Sequence, residues 1–354
     1  MAAGLAPADP RGREALRRLG VLRGDGSGTR LELQSSGSLA APRTVVRSVE
    51  SWVSSFPAFT ELTGLTDEDV VLVPAPPHSS MFAFATAHAV WLGAETVGLS
   101  QWSAREASAA ASRCTAAHLT PSMLDVLLAV GAGRLRTVVC AGSALPTTVR
   151  TRAKRAGLRV VDYYGATELS FVAARHPDGR MLPFPDAEVQ VREGVVWVRS
   201  PWVCTGYAAG QSGPLRRDAD GWATVGDRGH WDPDGGLVVT GRGDDLILCG
   251  GASVLPSEVE HVLQSLPGVA TAVVVGLPHP QLGEVVAAVL VPQPGAGLDL
   301  AGVRHLAAEQ LAPTHLPRRW QVTEQLPLTA AGKVSRQAVR DLLRAPAQQE
   351  PVGG

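Results

Sequence analysis

The sequence predicts an α/β protein: a large domain with a mostly parallel sheet and a small β subdomain, followed by a small, mobile α/β domain. Three observations carry that prediction. From Val70 to Gly157, short apolar strands alternate with helical stretches of about ten residues, the pattern of βαβ units with right-handed crossovers. Beyond Gly179 the pattern becomes that of a hairpin, with Glu188–Val191 and Val195–Val198 on either side of Glu193-Gly194. Near residue 244 glycines flank two aspartates, Asp244 and Asp245, which marks a hinge between residues 1–241 and 242–345.

Composition narrows the function classes. The 354 residues suffice for two domains of ordinary core size. A formal net charge of -1 and the lack of any lysine–arginine run leave no attraction for nucleic acid. Cys114, Cys140, Cys204 and Cys249 lie far apart, with no CxxC and no histidine at metal spacing. That usage fits buried thiols in a reduced, cytoplasmic protein. The amino terminus lacks an apolar signal core, and the apolar stretch from Met81 to Leu99 is interrupted by His88 and Glu95, so no membrane span is expected.

Taken in order, residues 1–20 read as a flexible leader and a short helix, and Arg23 to Thr29 as a glycine-rich turn. Leu31–Gln34 alternates as an edge or half-buried strand does. It leads into Ser36-Gly37-Ser38 and Arg43, small residues, hydroxyls and one base suited to cradling phosphate. Val70–Val73 is a strand stopped by Pro74, and residues 80–92 form a helix ending before Gly93. Thr96-Val97, Ala116–Leu119 and Arg136–Cys140 are further strands. Between them Ser103–Ser112 is helical, and Thr120-Pro121 caps a helix ending at Gly131. After the loop Gly142-Ser143-Ala144-Leu145, Pro146 opens a helix closed by Gly157. His78, fixed behind two prolines at a strand end, is either a cap or a substrate gate; His88 is structural.

The chemistry centres on VDYYGATELSFVAA, residues 161–174. A strand ending in Tyr163-Tyr164-Gly165 delivers Thr167 and Glu168 to the carboxyl edge of the sheet, where open α/β sheets bind ligands. Thr167 suits a phosphate and Glu168 a magnesium ion. The alternative is an N-capped helix with Thr167 as its cap. Gly226–Gly235 reads as a turn-rich loop whose Asp227 can take both hydroxyls of a ribose. Pro256-Ser257-Glu258 opens a helix, and Lys333 sits behind a glycine turn, framed to meet an anion as a point charge. Residues 346–354 are expected to be disordered.

Together YGATE at 164–168, GDRGHWDPDG at 226–235, GRGDDLILCGGASVLPSEVE at 241–260 and LPLTAAGKVSRQ at 326–337 resemble the adenylate-forming superfamily. That group includes acyl- and aryl-CoA synthetases, adenylation domains and luciferases, and four motifs in register make the likeness specific. The resemblance covers roughly residues 31–344 and implies roles. Thr167 contacts the α-phosphate, Glu168 holds Mg2+, Asp227 and Arg242 hold the ribose, and Gly142-Ser143-Ala144 backs the adenine. Tyr164 and Gly165 belong to the same nucleotide site. Asp244 is the hinge, Lys333 approaches the carboxylate and α-phosphate, and Gly250-Gly251 lines a thiol channel. The acyl pocket would be formed by His78, Met81, Phe82, Tyr163, Ser170 and Phe171, suiting an uncharged aryl or medium acyl group.

Two departures from the family's pattern stand out. The phosphate loop lacks a hydroxyl at Leu39 and a glycine at Ala40, and carries Arg43 in place of lysine. Only about thirty residues precede it, where relatives carry a long subdomain, so the large domain reads as truncated at its N-terminus; short ligases resembling o-succinylbenzoate–CoA synthetase share that layout. The implied reaction is adenylation of a carboxylic acid by ATP, then transfer to coenzyme A. An acyl carrier protein as acceptor, and a non-catalytic nucleotide-binding relative, remain alternatives. A homodimer is compatible with either.

Overall fold

A computed structural model describes residues 9–24, 29–34, 43–77, 79–242, 246–293, 295, 297–329 and 332–344. They fall into two compact units, one within residues 1–239 together with 329–333, the other within 240–328 and from 334 onward.

The first unit is organised by a seven-stranded sheet. Glu95–Gly98, Val70–Val73, Ala116–Leu119, Thr137–Cys140 and Arg159–Ala166 lie parallel in that spatial order. Their continuous apolar runs, rather than alternation, reflect burial on both faces. Helices Ser80–Leu92, Ala104–Ala111, Pro121–Val130 and Thr147–Arg155 connect them. Local chemistry sets their ends: the Ser103 side chain accepts from the Glu106 N–H, Thr120 accepts from that of Met123, and Pro121 takes the first turn.

At its far side the sheet turns antiparallel, and here the sequence reading is corrected. Arg159–Ala166 does not stop at Gly165 and is not followed by a helix. The chain turns through Thr167, Glu168 and Leu169 and returns as Ser170–Arg175, with Ala166 paired to Ser170. Gly165 serves close approach instead of the turn: a Cβ there would stand 2.1 Å from the Ser170 carbonyl oxygen. The left-handed backbone falls on Ser170, at φ 61°.

Two further β regions complete this unit. Glu188–Arg192 and Val195–Arg199 form the expected hairpin, with Glu193 at φ 52° and Gly194 at φ 73°, the pair of positive angles a tight two-residue turn needs. Asp227 stands on the strand Asp227–Trp231, not in a loop. Of the two readings of Leu31–Gln34, edge or half-buried, the second stands: the strand Thr29–Gln34 alternates in burial from Leu31 on and lies between Leu22–Gly24 and Thr44–Ser48.

Behind the sheet lies an aromatic cluster. Phe84 meets Trp52, Phe56, Phe59 and Phe171 with ring centroids 4.9–5.3 Å apart, mostly edge to face. His88 is buried in it as a structural residue, its Nε2 2.8 Å from the Thr60 hydroxyl. Burial pushes His88 down to about 4. His118, stacked on Phe59, is pushed down to about 3 by burial, with His88 adding to the effect. All four cysteines are buried and free.

In the second unit, Val269–His279 and Gly283–Pro292 form a long antiparallel pair, extended by Ile247–Cys249, Ala252–Val254 and the parallel strand Arg319–Val322. Strand alternation splits its core in two. Val274, Val286 and Ala288 face helices Pro256–Ser265 and Leu300–Gln310, while Val275, Ala287 and Val289 face Arg336–Arg344. Among the described residues no helix is long and apolar enough to cross a membrane.

Candidate active site

The carboxyl ends of the parallel strands place the site. Ser79, Ser80 and Met81 follow the strand Val70–Val73, Ala141 and Gly142 follow Thr137–Cys140, and Thr167 follows Ala166. These residues line one cleft with Tyr163, Gly165, Ser170, Phe171 and Lys333, and Arg47, Trp52 and Phe84 add to its wall. Ligands of open α/β sheets occupy this edge because strand-end loops there can diverge and expose backbone groups.

Two polar arrangements organise the cleft. The Ser80 and Thr167 hydroxyls lie 2.9 Å apart, which fixes the Thr167 side chain. The turn bearing Lys333 is held at both ends: Thr329 N–H donates to the Lys333 carbonyl at 2.7 Å, and Thr120 donates to the Gly332 carbonyl at 2.6 Å. Lys333 then lies along Gly142, where a Cβ would come within 2.9 Å of its Cε. Gly142, at φ 98°, is therefore required by both its backbone and the lysine above it.

Glu168, next to Thr167 in the chain, is 3% exposed and is not among the residues that line the cleft. Its Oε1 accepts from the Tyr207 hydroxyl at 2.9 Å, and burial together with Glu168 pushes that phenol up. Tyr164 donates to Asp227 Oδ2 at 2.7 Å and so orients a carboxylate that is 7% exposed. Thus two of the sequence motifs meet through side chains 63 positions apart.

Of the residues expected at the site, the structure gathers Met81, Gly142, Tyr163, Gly165, Thr167, Ser170, Phe171 and Lys333. Phe82 is not among them; it turns into the core beneath the sheet, and Phe84, two positions on along the helix, faces the cleft. Ser143 and Ala144 are exposed beside Gly142, and Arg43 is half-buried just ahead of the strand Thr44–Ser48. Gly250 and Gly251 form the turn between Ile247–Cys249 and Ala252–Val254, at φ 58° and 86°. Ser36, Gly37, Ser38, His78, Asp244 and the Arg242 side chain lie outside the described residues.

Sequence reasoning missed Ser80, Thr120, Tyr207, Trp52, Phe84 and Arg47. For Arg47 a signal existed: it shares with Val45 the inward parity of a short strand. Tyr207 and Thr120 gave none, because their partners are 39 and 212 positions away.

Residues 34–208 match the AMP-binding enzyme family, and residues 258–333 match the AMP-binding enzyme C-terminal domain. The chain belongs to the AMP-binding enzymes. Within that adenylate-forming superfamily it falls among the acyl-CoA ligases. It is 29% identical over 89% of its length to an uncharacterised acyl-CoA ligase, YhfT, of Bacillus subtilis, covering 68% of that protein. It is 31% identical over 94% of its length to a salicylyl-CoA synthase / salicylate adenylyltransferase of a Streptomyces species, covering 66% of it. The Bacillus subtilis o-succinylbenzoate CoA synthetase MenE, solved with its acyl-adenylate intermediate, superposes with a TM-score of 0.71 at 26% identity. That match covers 88% of this chain and 68% of MenE. This AMP-binding enzyme therefore spans about two thirds of the length of these relatives.

Proposed function

We propose that the protein adenylates a carboxylic acid with ATP and passes the acyl group to the thiol of coenzyme A. The observation that carries this reading is the meeting of Lys333, Thr167 and Gly142 beside an aromatic wall at the carboxyl edge of the sheet. The acid oxygen attacks the α-phosphorus and pyrophosphate leaves; the thiol sulfur then attacks the acyl carbonyl and AMP leaves. Neither step needs a protein nucleophile. The first needs two anions brought in line and their charge met.

Each residue answers part of that need. Lys333, clamped by its turn, supplies a fixed ammonium to the carboxylate and α-phosphate. Thr167, oriented by Ser80, donates to a phosphate oxygen. Asp227, oriented by Tyr164, takes the ribose hydroxyls, and Gly142-Ser143-Ala144 flanks the adenine. Met81, Phe84, Tyr163 and Phe171 supply the apolar wall for an aryl or medium-length acyl group.

Glu168 fits a single-carboxylate magnesium site, since its Oε2 makes no hydrogen bond among the described residues and Mg2+ takes most ligands from phosphate and water. With Glu168 holding it, Mg2+ would neutralise triphosphate charge. The thiol step is attributed to withdrawal of the Lys333 turn, with a hinge at Asp244 and the thiol arm passing Gly250-Gly251. The four free, buried cysteines support a cytoplasmic setting.

The test is ATP–pyrophosphate exchange against a panel of aliphatic and aromatic acids, followed by thioester formation with coenzyme A and with a phosphopantetheinylated carrier protein side by side. Acid-dependent exchange and acyl-CoA are expected. Thioester on the carrier alone would reassign the acceptor. ATP binding without exchange would leave a non-catalytic relative.

A further inference from the structure

Lys333 can serve the cleft only if the root of its turn is held as firmly as its tip. The two legs of the turn pair through Leu328 and Val334, and the Ser335 N–H donates to the Pro327 carbonyl at 2.8 Å. Arg336 comes directly behind the second leg, as the first residue of the helix Arg336–Arg344. Ser335 caps that helix, its hydroxyl accepting from the Ala338 N–H at 3.3 Å. A base at the first position opposes the helix dipole, so Arg336 weakens the helix that it opens. Its guanidinium is engaged elsewhere. Nη1 donates to the Val274 carbonyl, and Nη2 lies 2.9 Å from Glu260 Oε1. Glu260, on the helix Pro256–Ser265, also accepts from the Val274 N–H at 2.9 Å. Carboxylate, guanidinium and both peptide groups of Val274 thus close a ring.

Val274 stands on Val269–His279, which pairs with Gly283–Pro292 and with no other strand among the described residues. The open side of such a strand needs its N–H and C=O groups answered. Two residues earlier a neutral amide suffices: Gln264 Nε2 donates to the Ala272 carbonyl at 3.2 Å. At Val274 the edge is closed by an ion pair whose side chains are 22% and 15% exposed, and whose base lies three residues from Lys333. A partly buried pair shared with backbone holds its geometry, as an exposed pair does not. We propose that Glu260 and Arg336 are positioning residues for acid activation. They root the legs of the turn, so that the Lys333 ammonium meets the carboxylate and α-phosphate in line. The proposal rests on the acid-activating reading of the cleft and adds to it two residues that touch no substrate.

The experiment measures both half-reactions in the parent protein, Arg336→Met, Arg336→Lys and Gln264→Ala. In Arg336→Met, pyrophosphate exchange should fall about tenfold or more, since a reacting group displaced by about 1 Å loses up to about a hundredfold. The loss should lie in kcat, with KM for ATP little changed. Thioester formation from preformed acyl-adenylate should be nearly unaffected. Arg336→Lys, which keeps the charge and a donor, should recover part of the exchange. Gln264→Ala removes a bond on the same strand edge without touching the legs of the turn, and should exchange at the parental rate. Equal loss in both steps of Arg336→Met, or the same loss in Gln264→Ala, would make the ion pair an edge seal and overturn the assignment. Parental exchange in Arg336→Met would overturn it too. Glu260→Gln, which keeps an acceptor for the Val274 N–H, takes the place of Arg336→Met if that variant does not fold. If no acid supports exchange in the parent, the ligase reading fails separately, and lysine reactivity decides. The chain has two lysines, exposed Lys154 and half-buried Lys333, so trace acetylation with acetic anhydride gives their ratio by peptide mass spectrometry. A several-fold rise of Lys333 over Lys154 in Arg336→Met supports the rooting, and an unchanged ratio overturns it.

Discussion

The two walls of the cleft hold their polar groups in opposite ways. On the strand-end wall, Ser80, Thr167 and Lys333 sit on turns and a helix start, partly open and tied to one another or to backbone. On the aromatic wall, Arg47 is fully buried on a strand, and behind it lie His88 and His118 among the rings. Under the proposed reaction, the groups assigned to the phosphate stand where water and ligand can exchange, and the wall assigned to the acyl chain is fixed in the interior. Burial then forces a choice: histidine discharges, whereas arginine, whose proton is too tightly held, stays charged.

The largest expected effect tests whether the aromatic wall is a stability element as well as a specificity element. Phe84 is 3% exposed and contacts several rings, so Phe84→Ala should cost about 4 kcal/mol, read as a drop in the urea midpoint. A cost under about 1 kcal/mol would mean that the wall collapses freely around the cavity.

Acid should distinguish the buried histidines next. Their folded pKa values, about 4 and about 3, lie below the unfolded value of 6.5. Below pH 6.5 the unfolded chain takes up protons that the folded chain refuses. Stability is therefore full above that point and falls as pH drops through about 4 for His88. The loss attributable to His88 is on the order of 3 kcal/mol, and a His88→Phe variant should show a flatter melting profile between those limits. An unchanged profile would place the acid sensitivity elsewhere.

On the strand-end wall the losses should appear in rate and leave the fold intact. Lys333→Ala should slow adenylation about a hundredfold, the usual cost of removing one fixed charge from a phosphoryl transition state. The thiol step from preformed acyl-adenylate should be nearly unaffected, and the melting temperature should move little. Equal loss in both steps would make Lys333 a structural residue. The smallest effect is expected from Ser80→Ala, which frees the Thr167 hydroxyl. About 1 kcal/mol, or several-fold in adenylation rate, is expected from one neutral hydrogen bond.

These walls also differed in how far they could be read from the chain. The strand–helix alternation, the cap at Thr120 and the hairpin at Glu193-Gly194 follow from local rules, and all stand in the structure. Thr167 and Lys333 were legible because each lies in a short, stiffly framed motif. Gly165 was misread as a turn because a sequence does not show that a carbonyl five residues on crosses its face. Phe82 and Phe84 could not be told apart on a helix that is apolar all round, since periodicity then gives no preferred face. Arg47 and Tyr207 went unread because burial and long-range partners, not residue type, give them meaning.

The burial of all four cysteines has a practical consequence. Burial pushes the thiols of Cys114, Cys140 and Cys204 up, away from the thiolate form that reacts with disulfide reagents. The folded protein should therefore stay dark to a chromogenic aromatic disulfide while an added acceptor thiol does not. Consumption of coenzyme A could then be followed in real time without blocking the enzyme's own sulfurs, and a slow rise of colour in its absence would report unfolding rather than turnover.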